Sequence, residues 1–79
     1  MKRDMQLIKA ILKFAEGKPD ANPVACPDIP GYTTEQVTYH VGLCAEAGYI
    51  KASATMDATY IRYLTWNGHE ALDGLRQAP

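Results

Sequence analysis

From Ala21 to Ile50 the sequence contains no lysine and no arginine. A segment without cations is poorly equipped to hold a polyanion, because phosphate contacts draw mainly on those two side chains. The rest of the chain does not make up the deficit, since eight basic residues stand against nine acidic ones and the formal net charge is −1. Non-specific adhesion to nucleic acid is not expected from such a balance. Long apolar runs are also missing, which excludes a membrane-spanning helix, and Asp4, Lys9 and Lys13 interrupt any signal-peptide core near the start. These absences predict a cytoplasmic protein without a membrane partner.

Cysteine is scarce as well: Cys26 and Cys44 form no CxxC pair, and only His40 and His69 could join them in a zinc site. The two thiols are therefore expected as small apolar side chains in or near the core. No nucleophile stands at a motif spacing from a base, no Gly-rich phosphate loop occurs, and the carboxylates are scattered singly. The expectation is a binding protein, not an enzyme, with no cofactor and no metal.

What is present is an ordinary globular composition, 47% hydrophobic and 22% charged over 79 residues. That length suits a single domain over residues 1–79 with one small core. Between Arg3 and Glu16, Met5, Ile8, Ile11, Leu12 and Ala15 recur at three- and four-residue steps, with Leu7 and Phe14 widening the stripe. This predicts a first helix, stopped by Gly17 and the following Lys18-Pro19. Four prolines then crowd Gly17 to Tyr32 and forbid a useful helix there, while Val24-Ala25-Cys26 fits a short edge strand.

Thr33 and Gln36 form a capping box, opening a second helix that packs through Val37, Val41 and Cys44. Gly48 ends it by taking the left-handed conformation. His40, beside that apolar stripe, is expected to be half-buried and to donate to a backbone carbonyl. Tyr49 to Met56 and Thr59 to Leu64 read as a β-hairpin whose loop, around Asp57-Ala58, is wider than two residues because Ala does not suit a tight turn. Thr65 caps a last helix to about Gln77, with Trp66, His69, Leu72 and Leu75 as its expected stripe.

Helix, short strand, helix ending in Ala-Gly, hairpin and helix is an order that resembles a winged helix-turn-helix. The run Val37-Thr38-Tyr39-His40-Val41-Gly42-Leu43-Cys44-Ala45-Glu46-Ala47-Gly48-Tyr49-Ile50 resembles the recognition helix of small bacterial repressors. Leu64-Thr65-Trp66-Asn67-Gly68-His69-Glu70-Ala71-Leu72 resembles the segment after the wing in many of the same proteins. With its Met1-Lys2-Arg3-Asp4 opening and Tyr39-His40 pair, the whole chain is similar to a family of small uncharacterised winged-helix-like proteins of phages and prophages. The resemblance implies an α+β fold of three helices, a hairpin wing and a short edge strand. It departs from the pattern at Gly17 to Tyr32, where prolines stand in place of the helix that normally sets the docking angle, so that helix is expected to be reduced or absent.

If the second helix entered a major groove of double-stranded DNA, Thr34, Gln36, Thr38 and Tyr39 would reach base edges, with Glu35 alongside. Lys51 and Arg62 on the wing would meet phosphates, Lys2, Arg3, Lys9 and Lys13 could add a patch from the first helix, and a homodimer would double the contacts. The resemblance thus implies a DNA-binding protein, a phage or prophage regulator of transcription. The alternative is a winged-helix interaction module that has lost its phosphate surface and presents Tyr39 and Tyr60 to a host or phage protein.

Overall fold

The structure is a computed structural model and describes residues 1–77. Its elements run α1 (Met5–Glu16), β1 (Val24–Ala25), α2 (Thr34–Glu46), β2 (Ile50–Ala54), β3 (Thr59–Leu64) and α3 (Trp66–Gln77). The three strands form one antiparallel sheet in the order β1-β3-β2. This is an α+β, winged-helix-like arrangement.

The first helix begins two residues later than the apolar pattern alone predicts, at Met5 and not Arg3. Asp4 is its N-cap, taking the amides of Gln6 and Leu7 on Oδ1 at 2.9 and 3.2 Å, so Arg3 lies outside the helix. Leu7, Ile8, Ile11, Leu12 and Ala15 are buried, whereas Met5, in the first turn, is 44% exposed. Gly17 closes the helix in right-handed backbone, φ −77°, and does not use glycine's freedom.

Residues 17–33 contain no helix. They hold β1, which pairs at the sheet edge through Val24 to Ile61 and Ala25 to Tyr60. The helix that should precede a recognition helix is absent here. Thr33 then opens α2 with both bonds of the capping box in place, and Gly48, at φ +80°, turns the chain into β2.

The hairpin loop spans residues 55–58, wider than two residues as the Ala58 chemistry requires. Thr55 closes it, its amide donating to the Ala58 carbonyl and its hydroxyl accepting from the Asp57 and Ala58 amides. The last helix buries Gly68 and Leu72 and half-buries Ala71 and Leu75, while Trp66 is 79% exposed and His69 is exposed. The expected stripe at steps of three drifts about 60° per step around a helix of 3.6 residues per turn, which carries Trp66 out of line with Leu72. The observed inner face advances by four and three residues and stays aligned.

A single apolar cluster unites α1, α2, α3 and the sheet, with Ile50, Ile61 and Leu64 contributed by the strands. All three helices thus lie on one side of the sheet. The opposite side is open.

Candidate nucleic-acid interface

Cross-strand pairing decides which strand residues look outward. Ile50 pairs with Leu64 and Ala52 with Ile61, and these face the core; Lys51 pairs with Tyr63 and Ser53 with Tyr60, and these face away from it. The register shifts between Lys51 and Ala52, leaving Arg62 without a partner on β2. A bulge of this kind breaks the two-residue alternation, so Arg62 and Tyr63 are both exposed between buried Ile61 and Leu64. The open face therefore gathers Lys51, Arg62, Tyr60 and Tyr63 with Ser53 and Ala25, and none of these strand residues is a carboxylate.

Lys18 supports this bulge from the loop before β1. Its ammonium donates to the carbonyls of Asp20 (3.0 Å), Asn22 (2.6 Å) and Arg62 (2.6 Å), so all three of its protons are used. The bulged carbonyl is thereby satisfied, and Arg62 is held in place by its own backbone. By contrast, among the described residues neither Lys51 nor Arg62 makes an ion pair.

The helix residues expected at a groove have a different environment. Thr34 is exposed in the first turn of α2, but the Gln36 side chain is taken up by the capping box, its Oε1 accepting from the Thr33 amide at 2.8 Å. Thr38 is half-buried between Val37 and Tyr39 in the first turns of the helix. Tyr39 is 41% exposed and stands edge-on to the His40 ring, with centroids 5.4 Å apart. No cation occurs anywhere on α2, and the exposed residues of its outer face include Glu35 and Glu46. The structure thus brings Lys51 and Arg62 together on the sheet and leaves Thr34, Gln36, Thr38 and Tyr39 on a helix behind it.

His40 differs from the half-buried residue expected. It is 2% exposed and bonded at both ring nitrogens, with Nδ1 to the Gln36 carbonyl at 2.8 Å and Nε2 accepting from the Asp4 amide at 2.9 Å. A backbone amide can only donate, so the ring proton sits on Nδ1 and points to the carbonyl. Asp4 joins the same network through Oδ2, which accepts from the Tyr32 hydroxyl at 2.9 Å. That hydroxyl and the Leu7 and Gln6 amides hold the Asp4 carboxyl below its ordinary value, and the carboxylate in turn raises Tyr32. A groove of about 440 Å³ lies over these groups, and its polar floor is occupied in holding α1 to α2. Sequence spacing offered no signal for this network, whose partners are 28 and 36 residues apart.

The thiols are equally quiet. Burial pushes Cys44 up to about 11 and also raises Cys26, which favours the unreactive protonated form in both. The cations of α1 stand off its buried stripe, Lys13 exposed and Lys9 half-buried, and neither belongs to the strand face that carries Lys51 and Arg62.

Fold and surface together define a small α+β domain of winged-helix-like arrangement with an open, cationic and aromatic sheet face. The chain belongs to the family described as hypothetical protein DUF2513, whose model matches residues 2–79. It is 41% identical over 81 residues to an uncharacterised protein of Haemophilus influenzae, an alignment that covers 96% of this chain and 69% of that one. No solved structure matches it.

Proposed function

We propose that this protein binds DNA, with the wing sheet as its main contact and α2 in a secondary role. The observation that supports this is the charge of the two surfaces: the outward strand residues include Lys51 and Arg62 and no carboxylate, while exposed α2 carries Glu35 and Glu46 without a cation. Phosphates favour the first and are repelled by the second. The phage or prophage regulator implied by the resemblance belongs to the same proposal, as does a cytoplasmic setting in which both thiols stay reduced.

Fluorescence anisotropy with random and genomic duplexes at low ionic strength tests it. Binding is expected to weaken with salt, and Lys51→Ala and Arg62→Ala are each expected to lower the slope of log affinity against log salt by about 1. Duplex binding that ignores both substitutions would move the contact elsewhere. Absence of binding to any DNA at low salt ends the proposal.

A second reading rests on Tyr39, an exposed ring on the acidic face of α2. Such a face suits a host or phage protein with a basic patch. A partner of that kind would be lost on Tyr39→Ala and retained in the Lys51→Ala, Arg62→Ala double variant.

A further inference from the structure

The open side of the sheet holds more than charge. Tyr60 and Tyr63 stand on β3 with Arg62 between them, and each has a cross-strand neighbour on β2, Ser53 and Lys51 respectively. Neither ring belongs to the apolar cluster, and among the described residues neither pairs with another aromatic. Tyr63 is 38% exposed and Tyr60 is half-buried. Among the described residues neither hydroxyl has a hydrogen-bond partner, in contrast to Tyr32, whose hydroxyl is bound to Asp4. Two uncommitted aromatic rings therefore share a strand face with two uncommitted cations.

In a duplex the faces of the bases are stacked on one another and out of reach of a flat surface, and only phosphates and groove edges remain. An unpaired strand offers both components at once, base faces for the rings and phosphates for the cations. We infer that the outward sheet face binds unpaired nucleic-acid strands, with bases stacked on Tyr60 and Tyr63 and the intervening backbone held by Arg62 and Lys51. This rests on the wing being the nucleic-acid contact and specifies which form of nucleic acid it takes. Charge complementarity selects the occupant, since a polyanion carrying planar rings matches both features of the face. The bulge makes the arrangement possible, because regular alternation from buried Ile61 would leave Arg62 outward but turn Tyr63 inward and Leu64 outward. Lys18, bound to the Arg62 carbonyl, is a positioning residue for that bulge.

The test compares four labelled probes of equal length in anisotropy titrations at low salt: oligo-dT, oligo-U, a hairpin duplex, and an abasic strand with the same phosphates but no bases. Oligo-dT or oligo-U is expected to bind about tenfold or more tightly than the abasic strand and the duplex. The salt slope for the single strand should be about −1.4, two cations at roughly −0.7 each. Tyr60→Ala and Tyr63→Ala should each weaken single-strand binding about tenfold, while Tyr60→Phe and Tyr63→Phe, which keep the ring, retain it within about twofold. Thermal melts of the four variants separate lost stacking from lost folding. An abasic strand that binds as tightly as oligo-dT, or Phe variants that lose binding as the Ala variants do, overturns the stacking surface. Duplex binding equal to or tighter than single-strand binding overturns this inference and leaves the wing proposal standing. No binding to any probe overturns both.

Discussion

Gly68 shows how a single residue sets the placement of an element. A Cβ built there would lie 1.9 Å from the Tyr49 carbonyl oxygen and 2.6 Å from Leu64 Cδ1, so only glycine lets α3 approach the start of the wing this closely. Thr65 explains the rest of the same motif. Its hydroxyl accepts from the Gly68 amide at 3.0 Å and donates to the Gly48 carbonyl, and its amide donates to the Tyr49 carbonyl at 3.0 Å. The Leu64-Thr65-x-x-Gly68 pattern is thus accounted for by packing, a cap and a close approach. Gly68→Ala is expected to destabilise the protein by roughly 3 kcal/mol, the upper part of the range for overpacking. Gly74→Ala, on the same helix with nothing within 4 Å, is expected to stabilise it by about 0.5–1 kcal/mol. Urea denaturation of the pair checks both signs; a Gly68→Ala protein as stable as the parent would contradict the close approach.

Among the elements, α2 was the most legible in sequence because its signals are local. The capping box, the stripe of Val37, Val41 and Cys44, and the Gly48 stop all act within a few residues, and all are found in place. Thr33→Ala removes one half of the box and is expected to cost about 1 kcal/mol, or roughly 4 to 8 °C in Tm, with Thr33→Ser retaining most of it. A melting temperature unchanged in the Ala variant would mean that tertiary packing alone holds the helix end. The wing was less legible. Its strands followed from β-branched and aromatic content, but the bulge at Arg62 depends on how β2 and β3 align across the loop, and no residue type in β3 announces it. Trp66 was misplaced for a related reason, since a run of three-residue steps looks like a stripe in sequence and winds away from one in three dimensions.

At the scale of the whole molecule, two polar ties connect elements far apart in the chain. Asp4 at the start of α1 receives the Tyr32 hydroxyl, and Glu16 at its end is paired with Arg76 of α3, Oε2 accepting from the guanidinium at 3.0 Å. Both carboxyls sit below their ordinary values, Asp4 chiefly through Tyr32 and Glu16 chiefly through Arg76. The sign of the pH dependence follows from the depressed folded-state values. Their stabilisation is fully present above the unfolded-chain values, roughly 4, and is lost as pH falls through the lower folded-state values. Urea midpoints are therefore expected to fall between about pH 7 and about pH 3, and less steeply in an Asp4→Asn, Glu16→Gln double variant. An equal fall in parent and double variant would place the acid sensitivity in other groups.

Much of this protein was determined by sequence alone. Caps, stops and apolar periodicity act through neighbours along the chain, so the three helices, the hairpin and the edge strand were readable before any contact was known. The absence of cations from Ala21 to Ile50 likewise meant that α2 would be a poor phosphate binder wherever it lay. Only the tertiary structure decided which side chains share a surface. Register fixes the face on which each strand residue stands, and one bulge puts Arg62 beside Tyr63 in the open while burying Ile61 and Leu64. The same folding closes Asp4 on His40, because contacts between residues dozens of positions apart are chosen by packing, which no local pattern encodes.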